Sequence, residues 1–424
     1  MTNKSKRMDS DKLRIDNMEY SVEKMAAIHP GGDLFVKAFA GRDATIAFMS
    51  YHRRLFPHHK YSEIQVKTED TSAEYIELCN LIAQVVPSNK SFAPSSYFVK
   101  IFVLISLAKG LEFYIHYTKN YIWYFTGPLG ILFAWIGLNV QHDANHGAVS
   151  PHYYINRALG LMQNWIGGSR VVWIHQHVVQ HHIHCNDINR DPDMEGNKII
   201  KLNPLAAYER HYMYQYVYFL AALALFGFSV VKDTIVSLIN GVYFTPISPY
   251  LDNHRKVDKL FSCLFVVRWV IVPIYQAPTI STILNVMVLY VVSGYYLSFF
   301  FLLSHNFAGT KHFNVSSEES FLRQQVLSSS NVGGPLLCWF NGGLNYQIEH
   351  HLFPRIHHSH YPKIAPIVRE FCRERDISYT HFHSIYENLV STSRYLYEIG
   401  HLFPQQPTVA RLRTLRVLRP NQLS

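Results

Sequence analysis

The chain has 424 residues, of which 48% are hydrophobic, 14% aromatic and only 16% charged. About a quarter of the residues are charged in a typical soluble protein, so this composition favours an integral membrane protein. The net charge of +9 at pH 7 is typical of basic loops that face anionic lipid, and it argues against a nucleic-acid partner. Five scattered cysteines without a CxxC pair argue against a disulfide framework and a thiolate zinc site.

The N-terminal part of the chain predicts a small soluble unit. We expect residues 1–15 to be disordered, and residues 16–90 to form a folded domain with its linker. The sequence HPGG stands at 29–32, and His52 follows in a later segment. This pattern resembles cytochrome b5, and the resemblance implies a small α+β domain in which His29 and His52 are the axial ligands of haem b. Two axial imidazoles leave no open position on the iron, which suits electron transfer.

The segments around this unit leave one alternative open. The part of the chain before His29 is shorter than in cytochrome b5, so the alternative is a degenerate domain without haem. His58 and His59 are assigned to the linker, and residues 60–95 are predicted to be a polar connector. The charged and polar residues 1–20 predict that no secretory signal peptide is present.

Apolar runs follow the connector and predict membrane-spanning helices. Residues 97–117 contain Lys100, Lys109 and Glu112 and are a poor but possible span. Residues 121–140 contain no charged residue and are long enough to cross a hydrocarbon core of ~30 Å. Three further apolar runs cover residues 212–231, 260–276 and 279–303.

Histidines cluster at three places just outside these runs. The clusters are QHDANHG with His142 and His146, WIHQHVVQHHIHCND from Trp173 to Asp187, and NYQIEHH with Gln347, His350 and His351. Neutral imidazole is the commonest side-chain metal ligand and suits iron, copper and zinc. Residues four apart share a face of an α-helix. In the second cluster this spacing predicts one stripe of His177, His181 and His184, and another of His175 and His182.

The clusters constrain the membrane topology. Because they must meet at one site, the number of crossings between His182 and Gln347 must be even. We therefore predict that residues 212–231 do not cross, since about 15 uncharged residues are short for a span. Residues 260–276 and 279–303 are then a second hairpin, in which Arg268 must face the interior of the helix bundle.

The three clusters together resemble the histidine boxes of membrane fatty-acid desaturases. The resemblance covers roughly residues 95 to 400, and the glutamine that opens the third box is similar to the front-end subgroup. It implies a mainly α protein, in which an all-α integral membrane domain follows the haem domain over residues 95–424. This domain is expected to have about four transmembrane helices and a cytosolic cap that holds a diiron site.

The resemblance also implies the cofactors, because no side chain can oxidise an unactivated CH₂ group. Two non-haem irons and O₂ as co-substrate are expected. The predicted iron ligands are His142, His146, His177, His181, His182, His305, Gln347, His350 and His351. His175 and His184 are predicted to support ligand rings or acids such as Asp187. The histidines of HHSHYPK at 357–363 are either a fourth cluster or surface and supporting groups.

The implied activity is front-end desaturation of a long polyunsaturated fatty acyl chain, with Δ5 favoured and Δ4 or Δ6 as alternatives. The expected location is the endoplasmic reticulum membrane, with both termini and the active site cytosolic. Expected partners are a fatty acyl lipid or acyl-CoA, membrane lipid, and NADH–cytochrome b5 reductase as electron donor. A separate reductase is expected because no Gly-rich nucleotide fingerprint follows a strand in this chain.

Three other functions fit parts of the pattern. An acyl-lipid hydroxylase or another diiron lipid monooxygenase is the runner-up, because the same scaffold supports oxygen insertion. A histidine-rich metal transporter predicts histidines in the middle of spans, whereas these lie just outside them. A zinc hydrolase needs one metal and a general base rather than eight nitrogen donors.

Overall fold

The computed structural model describes residues 9–57, 72–194, 198–317 and 319–402, and most of these residues are helical. A small N-terminal unit precedes a helical body. The body combines long apolar helices with short helices that surround the histidine clusters.

The N-terminal unit is built on an antiparallel hairpin of β1 (Lys12–Ile15) and β2 (Met18–Ser21). Asp16 and Asn17 form its two-residue turn with φ of 47° and 66°, which short polar residues tolerate. Helices α1 (Val22–Ile28), α2 (Leu34–Ala38) and α3 (Thr45–His52) follow. The disorder predicted for residues 1–15 is wrong for 12–15, because Leu13 and Ile15 are buried in the core of this unit. Residues 1–8 lie outside the described residues.

The predicted connector contains a buried helix, α4 (Ala73–Val85). Tyr75, Leu78, Cys79 and Ile82 follow helical spacing and form one apolar face. Tyr75 Oη donates to the carbonyl of Leu352, 2.5 Å away, next to the third histidine cluster. The connector prediction is therefore wrong for this segment, which packs on the body. His58 and His59 fall outside the part of the chain that the structure describes.

Helices of four to 26 residues form the apolar part of the body. They are α5 (Ser95–Thr118), α6 (Trp123–Ile136), α7 (His142–Asn145), α11 (Gln215–Ala222), α12 (Phe226–Asn240), α13 (Asp252–Val266), α14 (Val272–Gln276) and α15 (Ile280–His305). A π-helical turn at Gly137–Gln141 joins α6 to α7, and another at Val267–Ile271 joins α13 to α14. Among the described residues, three stretches are long and apolar enough to cross a membrane: Trp123–Asn145, Arg210–Asn240 and Ile280–His305.

The stretch Arg210–Asn240 differs from its prediction in length. It has 31 residues, so the argument that residues 212–231 are too short to span is wrong. Its two ends nevertheless contact residues that lie outside the apolar helices. Near the start, Gln215 Nε2 donates to the carbonyl of Leu396 at 2.9 Å. Just after the end, the carbonyl of Thr245 contacts His175 Nε2 at 3.0 Å.

The middle of the same stretch crosses α15 at two glycines. A Cβ atom added to Gly294 would lie 2.1 Å from the backbone nitrogen of Gly227, so only glycine allows this approach. The crossing places the middle of Arg210–Asn240 against the apolar middle of α15.

Two charged residues of the apolar helices, Arg268 and Glu112, pair inside the bundle. Arg268 Nε donates to Glu112 Oε1 at 2.7 Å, and its guanidinium lies 3.4 Å from the centre of the Trp165 ring. Glu112 is buried. Arg268 thus faces the bundle interior, as the sequence required.

Short elements complete the body. The helices are α8 (Tyr153–Gly160), α9 (Met162–Trp165), α10 (Arg170–Trp173), α16 (Phe321–Leu327), α17 (Pro335–Asn341), α18 (Gln347–Leu352), α19 (Tyr361–Glu374) and α20 (Ile385–Gly400). Strands β3 (Val242–Tyr243) and β4 (Thr245–Pro246) pair antiparallel, and β5 (Ser330–Val332) and β6 (Thr380–Phe382) pair parallel. Short 3₁₀ turns cover Ser88–Lys90, Pro192–Met194, Arg210–Tyr214, Leu223–Leu225, Pro249–Leu251 and His358–His360.

Candidate metal centre

The nine residues predicted as iron ligands lie together in the body, and none is more than 7% exposed. They come from the end of the α6–α7 stretch, from the segment after α10, from the end of α15 and from α18. Buried imidazoles in such number are unusual, because each ring carries polar nitrogens that need partners. Their grouping is an observation, whereas metal binding by them stays a prediction.

The second cluster adopts a π-helix over Ile174–His181 rather than an α-helix. The backbone N–H of His182 donates to the carbonyl of His177, five residues earlier, at 2.9 Å. This wider turn brings His177, His181 and His182 into one site. The predicted stripes with four-residue spacing are wrong for this reason, and π-turns are frequent at functional sites.

One group of four rings consists of His142, His146, His177 and His350. One nitrogen from each ring lies within 4.8 Å of the corresponding nitrogens of the others. His182 Nε2 adds a fifth nitrogen, 3.1 Å from His177 Nε2 and 3.0 Å from His350 Nε2. The Nε2 atoms of His142 and His146 are buried and have no hydrogen-bond partner. Converging nitrogens without partners fit a cation between them.

A second group adjoins the first. His181, His305 and His351 each place a ring nitrogen within 4.8 Å of the others, and Cys185 belongs to the same group. The side-chain amide of Gln347 reaches His305 Nε2 at 2.9 Å, and Gln347 Oε1 is buried without a partner. The ring of His182 stacks on that of His351 with centroids 4.3 Å apart, so His182 lies between the two groups.

The Nδ1 atoms of five of these histidines are held by residues outside the donor groups, whereas Nδ1 of His182 is buried without a partner. The contacts are Tyr51 Oη to His146 at 2.7 Å, Asp191 to His181 at 3.0 Å, the Ser328 carbonyl to His305 at 3.0 Å, Tyr361 Oη to His350 at 3.2 Å and Gln325 Oε1 to His351 at 2.7 Å. An acceptor at Nδ1 fixes the tautomer whose Nε2 is free for a metal. These five partners lie 10 to 95 residues away from the rings they contact, so the spacing within the histidine clusters does not predict them.

The histidines outside the apolar helices differ in the direction of their pKa shifts. Burial lowers the pKa of His177, His182 and His350 well below the usual value, so these rings are neutral and able to bind a cation. Burial also acts on His181, but the carboxylates of Asp191 and Asp193 outweigh it and raise its pKa to about 9. His181 therefore has the carboxylate–histidine pairing that is typical of a metal ligand.

The supporting residues differ from those predicted. Asp187 Oδ2 pairs with Arg190, with contacts of 2.6 and 2.8 Å, and Asp191 takes the role at His181. His175 contacts the carbonyl of Thr245 instead of a ligand ring. Burial raises the pKa of the Cys185 thiol well above its usual value, and its sulfur lies 3.4 Å from His305 Nδ1. Cys185 is thus a protonated neighbour of His305 that the sequence analysis did not single out.

His357 and His358, which the sequence left as either a fourth cluster or surface and supporting groups, are buried. His358 Nδ1 donates to Asp143 Oδ2 at 2.5 Å, and His357 Nε2 lies 3.2 Å from the same oxygen. Asp143 adjoins His142, and its other oxygen lies 3.6 Å from His142 Nδ1. His357 and His358 therefore support the first histidine cluster through Asp143. Their burial rules out the alternative that they are surface groups.

The N-terminal unit brings its two predicted haem ligands close together, with their ring planes at 75° to one another. The ring centroids of His29 and His52 are 6.1 Å apart, about the separation needed for two imidazoles that share one metal at ~2 Å each. His29 Nδ1 donates to the carbonyl of Gly32 at 2.8 Å, and His52 Nδ1 to that of Phe48 at 3.0 Å. Burial lowers the pKa of His29, and it lowers that of His52 to about 3. Both rings are neutral with Nε2 free for a metal.

A cavity of about 410 Å³ surrounds these two rings and lies between the N-terminal unit and the body. Its far wall contains His146, Tyr153, Arg157 and Arg355. Gly32 has a φ of +84°, and a Cβ atom there would lie 3.1 Å from the Tyr153 ring. The body thus supplies one wall of the cavity that contains His29 and His52.

Comparison with known proteins gives consistent matches. The fatty acid desaturase family matches residues 121–383. An acyl-lipid (7-3)-desaturase from Rebecca salina is 42% identical over 400 residues, which cover 90% of this chain and 89% of that protein. The acyl-lipid (7-3)-desaturase of Diacronema lutheri is 38% identical over 397 residues, with 90% and 88% covered. The Delta(5) fatty acid desaturase A of Dictyostelium discoideum is 27% identical over 426 residues, with 92% and 90% covered.

Proposed function

The chain belongs to the fatty acid desaturase family and is an oxidoreductase, and we propose that it is a front-end acyl-lipid desaturase that uses a diiron centre. The observation that carries the proposal is the pair of adjoining donor groups, with His182 between them. When bound, two irons supply the O₂-dependent oxidation of a CH₂–CH₂ unit to a cis double bond.

The protein's own residues hold and orient that centre. We assign His142, His146, His177, His182 and His350 to one iron, and His181, His305, His351 and Gln347 to the other. Tyr51, Asp191, Gln325 and Tyr361 contact Nδ1 of ligand rings and fix their tautomers. The near-complete burial of all nine donors excludes bulk water from the site.

The N-terminal unit is proposed to hold haem b between His29 and His52 and to pass electrons to the irons. The ring separation of 6.1 Å and the backbone contacts at Nδ1 support this assignment. Arg157 and Arg355 in the cavity wall suit the carboxylates of a haem. Electrons are then expected from a separate NADH–cytochrome b5 reductase.

The regiochemistry has two candidates. The sequence patterns favour Δ5. The relatives with 42% and 38% identity to this chain are named (7-3)-desaturases, whereas a relative from Dictyostelium discoideum that is named an (8-3)-desaturase is 28% identical. The higher identities favour the (7-3) type. Expression in yeast fed with defined polyunsaturated fatty acids, followed by gas chromatography of the products, separates the two. A hydroxylated product in place of a new double bond would instead favour a lipid monooxygenase.

We also propose an endoplasmic reticulum location, with both termini and the donor groups on the cytosolic side. The contacts at both ends of Arg210–Asn240 support a stretch that enters the membrane without crossing it, so that its two ends lie on the same side. Glycosylation or cysteine-labelling tags at 119 and 277 should then report the lumen, and tags at 200, 240 and 410 the cytosol. A lumenal signal at 240 contradicts this topology.

A further inference from the structure

We propose that Tyr51 is a positioning residue that connects the haem site to the iron site, because it holds the iron ligand His146 and adjoins the haem ligand His52. The inference rests on the proposed function and names the route between its two cofactors. It concerns a residue of the N-terminal unit that acts on a ligand of the body.

The contact is direct and crosses the boundary between the two units. Tyr51 Oη lies 2.7 Å from His146 Nδ1, and the two ring centroids are 6.1 Å apart. Tyr51 and His146 both line the cavity that contains His29 and His52. The Tyr51 ring also packs on Phe35, with centroids 5.7 Å apart, which fixes its direction. The last turn of α3 thus presents one side chain to each site.

The hydrogen bond selects the form of His146 that can bind iron. His146 Nε2 is buried and has no hydrogen-bond partner, and one ring nitrogen of His146 lies within 4.8 Å of nitrogens from the three other rings of its group. A neutral imidazole carries one proton, so a free Nε2 requires the proton on Nδ1, which then donates to Tyr51 Oη. Without the hydroxyl, Nδ1–H loses its acceptor in a buried site, and the metal-binding tautomer loses its support.

The same contact completes a short path for electrons. From His52 the path runs through the adjacent backbone and the Tyr51 side chain, then across one hydrogen bond to His146. With both cofactors bound, each transfer would take one electron from a ferrous haem, which becomes ferric, and would reduce one ferric iron to ferrous. Two transfers, two protons and one O₂ accompany the removal of two hydrogens from the acyl chain, and two waters form. The proposed reductase restores the ferrous haem.

The test uses the full-length protein loaded with haem and iron, and compares Tyr51→Phe with Tyr361→Phe. Each substitution keeps the ring and removes a hydroxyl from Nδ1 of a histidine in the same group, but Tyr361 is not adjacent to a haem ligand. Haem absorption and bound iron are measured first. Pre-reduced haem is then mixed with O₂ and acyl substrate, and its reoxidation is followed by stopped flow.

We expect Tyr51→Phe to retain haem absorption, to lose iron affinity and to reoxidise its haem about tenfold more slowly per bound iron. Tyr361→Phe should lose iron affinity to a similar extent, with haem reoxidation reduced only in proportion to the lost iron. Equal reoxidation per bound iron in the two variants overturns the connecting role, and unchanged iron affinity in Tyr51→Phe overturns the positioning role. A wild-type protein that binds no haem contradicts the proposed function instead.

Discussion

The two candidate cofactor sites are built in different ways. In the N-terminal unit, each histidine is fixed by a backbone carbonyl within four residues of it: Gly32 for His29 and Phe48 for His52. In the body, the rings of the donor groups are fixed mainly by residues far away in sequence, such as Gln325 for His351. The first site is local, whereas the second needs the whole helical body.

The two sites also differ in the volume that surrounds their histidines. The N-terminal histidines face a cavity of about 410 Å³, large enough for an organic cofactor. The body histidines face one another, with nitrogens as close as 3.0 Å. The first site is therefore suited to a large flat cofactor, and the second to bare cations.

The largest effect is expected at the residue between the two donor groups. His182→Ala removes a ring that contacts His177 and His350 and stacks on His351. Both irons should be lost and desaturation should fall below detection, while haem absorption stays unchanged. Iron content, haem spectra and product yield measure this. If iron binding persists at the wild-type level, His182 does not belong to either site.

The converse substitution tests the independence of the haem site. His29→Ala should abolish the absorption bands of reduced haem and the formation of product, because one axial ligand is missing. Bound iron should remain, since none of the donor groups includes His29. Full product yield from this variant without added cytochrome b5 would falsify the proposed electron route.

Gln347 tests whether an amide belongs to the centre. Gln347→Leu keeps the approximate size but removes the oxygen donor, so we expect a loss of about tenfold or more in product yield with lower iron content. Gln347→His restores a donor and should retain part of the activity. Normal yield and normal iron in the leucine variant would remove Gln347 from the set of ligands.

Two neighbouring carboxylates provide a matched pair. Asp191→Asn removes the charge that supports His181, and we expect iron affinity or activity to fall about 10- to 100-fold. Asp187→Asn changes a carboxylate only four residues earlier, which pairs with Arg190, and should have a much smaller effect. Iron titration of both variants decides the matter, and equal losses contradict the assignment to Asp191.

The smallest effect on chemistry is expected in the helix bundle. Glu112→Gln leaves the guanidinium of Arg268 without its carboxylate, which costs about 3–5 kcal/mol for a buried pair. The thermal midpoint in detergent should fall, with iron content retained in the folded fraction. The double variant Glu112→Gln, Arg268→Met should recover much of the loss. A midpoint unaffected by the single change shows that the pair does not stabilise the fold.

The sequence alone determined the family, the candidate donors and the need for Arg268 to face the interior of the helix bundle. These follow from residue identity and from apolar runs, which act locally and can be read in chain order. The HPGG loop belongs here too, because the partners of His29 and His52 lie within the same short segments. The haem ligands and the iron ligands themselves stay predictions until cofactor binding is measured.

Tertiary structure decided the rest. The π-helix at Ile174–His181 overrode the expected α-helical spacing, because buried rings from other elements had to face His177 and His182 together. The sequence of the helix Ala73–Val85 is polar overall, and its narrow apolar face is buried only by packing on the body. The helix could therefore not be predicted from this segment alone. The contact between Tyr51 and His146 joins residues 95 positions apart, and no spacing rule in the sequence connects them. Such contacts exist only after the two units have packed together.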